Sequence, residues 1–152
     1  MQRPPSIVNF ERLYLGSIAL GLVNTAIGWQ ARQDVLAANR AVAGNPQVQA
    51  TLAWLLPLVT VIGLAISLLL WFLVARRGSV VAKWIVTVFA GIGVLTAIGV
   101  ILTLVRGLSP SLIVSVLGLV TTALSVAAAA MLFRADALPW FGEVPDVAET
   151  LR

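Results

Sequence analysis

Acid-base and nucleophilic chemistry has few places to come from in this chain. With no His and no Cys, it lacks an imidazole base or ligand, a thiolate nucleophile, a cysteine metal site and any disulfide framework. The carboxylates that remain, such as Glu11, Asp136, Glu143, Asp146 and Glu149, lie at the ends of apolar segments or in a polar tail. That placement predicts no catalytic residue, no metal, no cofactor and no enzymatic activity of the chain's own. A membrane-embedded carboxylate is what the coupling of small multidrug exporters requires, and Glu11, at a segment end, does not supply one.

Inside the apolar sequence the polar residues are mostly small hydroxyls: Ser17, Thr25, Thr60, Ser67, Thr87, Thr96, Thr103, Ser115, Thr121, Thr122 and Ser125. Ser17 with Gly21, Gly63 with Ser67, Gly93 with Ala97, and Gly118 with Thr122 have the small-xxx-small spacing that lets helices approach closely in lipid. These eight residues are the expected helix-packing positions. Asn24 is the exception in type, because an embedded carboxamide needs a partner, either across a helix interface or on a ligand. Pro57 frees a backbone carbonyl. Asn24, Gln30, Trp54, Pro57 and Thr60 are therefore a candidate outward-facing pocket, against the alternative of an ordinary kink.

The elements that must carry these groups follow from the charge pattern. No Lys, Arg, Asp or Glu occurs in residues 13–31, 41–75, 84–105 or 107–133. With 60% hydrophobic residues, 11% charged and a mean hydropathy of +1.01, the solvent of such a chain is mostly lipid. About 20 apolar residues are needed to cross a bilayer core, and four spans qualify: residues 13–29, 52–75, 84–105 and 112–133. Spanning backbone must satisfy its own hydrogen bonds, and the alternation of a barrel strand is absent, so the spans are helices. The expected fold is all-α, an integral membrane four-helix bundle in a single domain.

Boundary residues extend this reading. Pro4 and Pro5 precede the first helix, Ser6 or Asn9 can cap it, and Glu11 falls in its first turn. Gly44 reads as a stop, with Asn45 as N-cap and Pro46 at the first helical position of a helix running to Arg77. Helices one and two then continue beyond the membrane as an extended helical hairpin, with Ala31, Val35, Ala38 and Val42 against Val48 and Leu52. A solvated loop is the alternative. Gly78 and Ser79 leave a tight turn, Gly107 closes the third helix, and Ser109 with Pro110 opens the fourth. Residues 136–152 read as an interfacial segment around Trp140 and Phe141, followed by an acidic tail.

The first apolar segment runs into Gln30, Arg32 and Gln33 rather than a cleavage site and reads as a retained helix. With the N-terminus inside, Arg3, Arg12, Arg76, Arg77, Lys83, Arg134 and Arg152 are cytoplasmic against Arg32, Arg40 and Arg106 outside, which predicts both termini in the cytoplasm. Phe10, Tyr14, Trp71, Trp84 and Trp140 would line the inner interface, with Trp29 and Trp54 at the outer one. The formal charge of +4 is explained by this topology rather than by nucleic acid, since the basic residues share no soluble face. Nine Arg against one Lys, with abundant Ala and Val, is a composition associated with high-GC bacterial genomes, and the expected location is a bacterial inner membrane.

The start RPPS (Arg3 to Ser6), the basic turn Arg76–Arg77 and the segment LFRADALPWF (Leu132 to Phe141) resemble small four-helix bacterial membrane proteins of uncharacterised function. That resemblance covers most of the chain and implies no catalytic residue. The expected role is structural or interactive, as a homo-oligomer or an accessory subunit of a membrane complex. Its motive is the small stripe Thr121, Ser125 and Ala129 on the fourth helix, with a second at Ala123 and Ala127. The alternative is a transporter or binding protein for an apolar small molecule or lipid, although a transporter normally shows ionisable groups or broken helices near the midplane.

Overall fold

A computed structural model describes residues 3–39, 44–109 and 111–143. Among these, all regular structure is helical: α1 (Pro5–Ile27), α2 (Trp29–Ala38), α3 (Pro46–Arg77), α4 (Val80–Val105), α5 (Leu112–Met131) and a 3-10 turn at Leu138–Phe141. The helices α1, α3, α4 and α5 are long and apolar enough to cross a membrane.

Several boundaries follow the local chemistry. The Asn45 side chain caps α3, accepting from the amides of Gln47 at 3.1 Å and Val48 at 3.3 Å, with Pro46 at the first position where its missing N–H costs nothing. The 32 residues of α3 run about 48 Å at about 1.5 Å each, straight through Pro57. Gly78 ends it with φ +58, and Ser79 then caps α4 by accepting from the Ala82 amide at 3.3 Å. Gly107, at φ +67, closes α4 while the Leu108 amide reaches back to the Thr103 carbonyl at 2.9 Å.

Others differ from expectation. Neither Ser6 nor Asn9 caps α1, whose N-cap is Pro4 with no side-chain cap of its own. The helix starts earlier than the polar residues suggested because Pro5 occupies its first position, so Glu11 falls beyond the first turn. Ser111, not Ser109, caps α5, and the Ser109 hydroxyl pairs instead with that of Ser115 at 2.7 Å. The first arm of the hairpin is broken from α1 at Gly28 and continues as α2 to Ala38, with residues 40–43 outside the described ones. Gln33, Leu36 and Ala37 face Gln49, Leu52, Ala53 and Leu56 across a cleft of about 160 Å³. Leu36 and Ala37 are thus the apolar residues of α2 in that cleft, while Val35 is exposed. Val42, Pro110, Asp146 and Glu149 lie outside the described residues.

α5 is the hub of the packing. It lies along α1 and α4, whereas α3 touches α1 and α4 over less of its length. The buried residues of α3 are Leu70, Val74 and Ala75; those of α4 are Ala82, Lys83, Val86 and Ala90. Apart from Lys83, these form one apolar core with Ile7, Phe10, Tyr14, Ala128, Ala129, Leu132, Ala137 and Phe141 at the end of the molecule that carries the Gly78 turn. Away from that end, large apolar side chains such as Val61, Leu69, Leu95 and Leu112 stand exposed on the helix surfaces.

Candidate binding site

The segment after α5 closes the packed end by reaching three other helices. At α1, the Asp136 carboxylate accepts from the Ser6 amide at 3.0 Å and from the Ser6 hydroxyl. It thereby caps a helix that begins 130 residues earlier and supplies negative charge at a positive helix end. These two bonds, the hydroxyl first, hold the Asp136 carboxyl below the usual carboxylate range. At α3, the Trp140 indole donates to the Val74 carbonyl at 3.0 Å. Gly78 passes so close that a Cβ there would clash with the Trp140 carbonyl oxygen. At α4, Lys83 is 2% exposed; its ammonium pairs with Glu143 at 2.7 Å and lies over the rings of Phe133 and Phe141 at 4.6 and 5.0 Å. A buried ammonium needs this degree of compensation. Ala137 and Phe141 are buried, so the segment expected at the interface is also folded onto the helix ends, and Glu143 is an ion-pair partner rather than part of a solvated tail.

Above this plug lies a cavity of about 550 Å³ bounded by all four long helices. α1 contributes Tyr14, Ser17 and Ile18; α3 contributes Val59, Ile62, Gly63, Ile66 and Ser67. α4 adds Val86, Phe89, Ala90 and Gly93, and α5 adds Thr121, Thr122 and Ser125. Tyr14, Val86 and Ala90 also belong to the core, so the packed end is the cavity's floor. Its walls are partly open, because Val59, Ile62, Ile66 and Phe89 are among the exposed apolar residues. Among the described residues that line it there is no Lys, Arg, Asp or Glu. The chemistry available is reversible, neutral association with apolar matter and a few hydrogen bonds.

The expected packing positions divide into seams and cavity wall. A Cβ on Gly21 would meet the Thr121 methyl at 3.6 Å, one on Gly93 the Thr122 methyl at 3.5 Å, and one on Gly118 the Asn24 amide nitrogen at 3.5 Å. These are the close approaches of α5 to α1 and α4. Nothing lies within 4 Å of a Cβ on Gly63; Gly63, Ser67 and Ser17 instead face the cavity. Ala97 is half-buried on α4. Thr121 and Ser125 turn inward to the cavity and Ala129 is buried, while Ala123 is exposed.

The five candidate pocket residues are not gathered around this cavity or the clefts beside α2. Gln30, Trp54 and Pro57 are exposed, and the Thr60 hydroxyl donates to the Leu56 carbonyl at 2.9 Å. Asn24 sits in the α1–α5 seam, with Oδ1 buried and without a hydrogen-bond partner, a cost of about 1–3 kcal/mol. Among the cavity residues missed from sequence are Tyr14 and Phe89. Tyr14 lies one turn before Ser17 on the same face as Gly21, a repeat that extends the noted pair; Phe89 carries no comparable signal.

Comparison with family models, with characterised proteins and with solved structures finds no match for the chain.

Proposed function

We propose that the chain is an integral membrane four-helix bundle, multi-pass in a bacterial inner membrane with both termini cytoplasmic. Its function on this reading is to bind an apolar small molecule or lipid between its helices, without enzymatic activity. The observation that carries the reading is the neutral, partly open cavity of about 550 Å³ lined by all four long helices, a size within the range of small-molecule sites. The exposed apolar helix surfaces support insertion, since soluble monomers rarely carry patches beyond a few hundred Å². The orientation rests on Arg3, Arg76, Arg77, Lys83 and Arg134, which cluster at the plugged end or its flanking turns.

A second reading is the structural or interaction role, as a homo-oligomer or an accessory subunit. Thr121 and Ser125 line the cavity and Ala129 is buried, so that stripe does not supply its contact surface. What supports it is α3, which has few neighbours and exposes Val59, Val61, Ile62 and Leu69.

Native mass spectrometry of protein released from gentle detergent separates the two. Binding predicts about one apolar molecule per chain, displaced when Gly63→Phe fills the cavity. A bare chain that travels with a constant stoichiometry of another protein, or of itself, favours the second reading. Topology is tested separately by reporter fusion, with the Gly78 turn expected in the cytoplasm; an external turn overturns it.

A further inference from the structure

The end of the bundle opposite the plug holds a second concavity of different character. There α2, α3 and the start of α5 bound a cleft of about 350 Å³. Gly28, where α1 gives way to α2, lets the chain pass close to α5: a Cβ on it would press the Val114 methyls at 3.2 and 3.4 Å. The walls are apolar, from Val35 and Leu36 of α2, Leu56 of α3 and Val114 of α5. Among the described lining residues the one charge is Arg32. It makes no ion pair among the described residues, whose ion pairs, on Glu11 and Glu143, lie at the plugged end. Asp34, two positions along, stands on the other side of α2. Ser111, which caps the 20 residues of α5, also lines the cleft, so the positive end of a helix dipole adds to the Arg32 charge.

We propose that this cleft is a binding site separate from the central cavity, taking the acyl chain of an anionic amphiphile whose phosphate or carboxylate head pairs with Arg32. The arginine stem can lie along the apolar wall with its guanidinium at the rim, where the planar fork matches either anion with two hydrogen bonds. A zwitterionic head of the same chain length brings its own cation and gains less from that pairing. The volume, at the low end for small-molecule sites, suits one chain rather than two. The central cavity has no charge in its described lining, so the two sites select different heads. On the membrane reading above, the cleft opens at the outer interface, and its occupant comes from the outer leaflet.

The test uses the full chain in phosphatidylcholine nanodiscs with two radiolabelled probes of equal chain length, hexadecyl phosphate and hexadecylphosphocholine, scored against empty discs. The phosphate probe is expected to saturate near one per chain, with the phosphocholine probe about fivefold weaker, the return of one interfacial ion pair. Arg32→Gln is expected to cut that preference to about twofold or less. Arg32→Lys should keep part of it, and Arg106→Gln, which removes a cation outside the cleft, should keep all of it. Gly63→Phe, which fills the central cavity, should leave it unchanged. Equal binding of both probes overturns the proposal, as does an Arg106→Gln loss as large as that of Arg32→Gln. Displacement of the probe by excess inorganic phosphate overturns the part played by the acyl chain. Binding lost in Gly63→Phe but kept in Arg32→Gln moves the amphiphile to the central cavity, which overturns this site and leaves the earlier reading standing.

Discussion

The plugged end and the cavity above it are built from the same four helices but hold them in different ways. At the plug, directional bonds from one short segment pin three helices: Asp136 to Ser6, Trp140 to Val74 and Glu143 to Lys83. Around the cavity the hydroxyls bond only within their own helices, and helix meets helix through methyl groups on glycines. Order at the first depends on specific partners, while separation of helices at the second costs few bonds. On the binding reading proposed above, the plugged end would hold the helices together while the open region admits a guest.

Glycine substitutions break this contrast most sharply. Gly78→Ala is expected to be the most damaging, by about 3 kcal/mol or more, because it combines a left-handed backbone with a clash against the Trp140 carbonyl. Thermal unfolding in detergent micelles would read the loss. Glu143→Gln comes next, at about 2 kcal/mol. Stranding a buried ammonium costs more, but the Glu143 side chain is 35% exposed and both rings remain. Lys83→Met should cost less than Glu143→Gln in the same assay, since it removes the buried charge with its desolvation.

The Asp136 cap makes the plug sensitive to pH. A carboxyl with a depressed folded value adds stability at neutral pH, and that contribution is lost as pH falls from the usual carboxylate range through the lower folded value. Asp136→Asn is expected to lower Tm at pH 7, with the gap to the parent protein closing in acid; a pH series of melting curves checks it. The smallest effect is expected at Gly63→Ala, between zero and a stabilisation of about 1 kcal/mol, because the methyl enters open space in a helix. A large loss there would mean that the cavity wall is packed more tightly than its geometry indicates.

Much of the helix pattern was legible in the sequence. Charge-free runs locate the four long helices, and Asn45, Pro46, Gly78 and Gly107 mark their ends because capping is local chemistry. The starts of α1 and α5 were misplaced where a proline or a neighbouring serine offered a second cap. The candidate site was only half legible. Small-xxx-small spacing picks out Ser17, Gly63, Ser67 and Gly93, yet it does not distinguish a glycine that meets a neighbour from one that faces a void. That difference is set by how far α3 stands from α5, a long-range property of the packing. The plug was invisible for the same reason: nothing near Asp136 in sequence announces that its partner is Ser6.

That partnership also orders events during synthesis. At roughly 5–20 residues per second, the carboxylate that finishes α1 is made on the order of ten seconds after the helix it caps. Until then the start of α1 is without that side-chain cap, and a chain stopped before Asp136 leaves the Ser6 amide and hydroxyl without the partner they have in the finished fold.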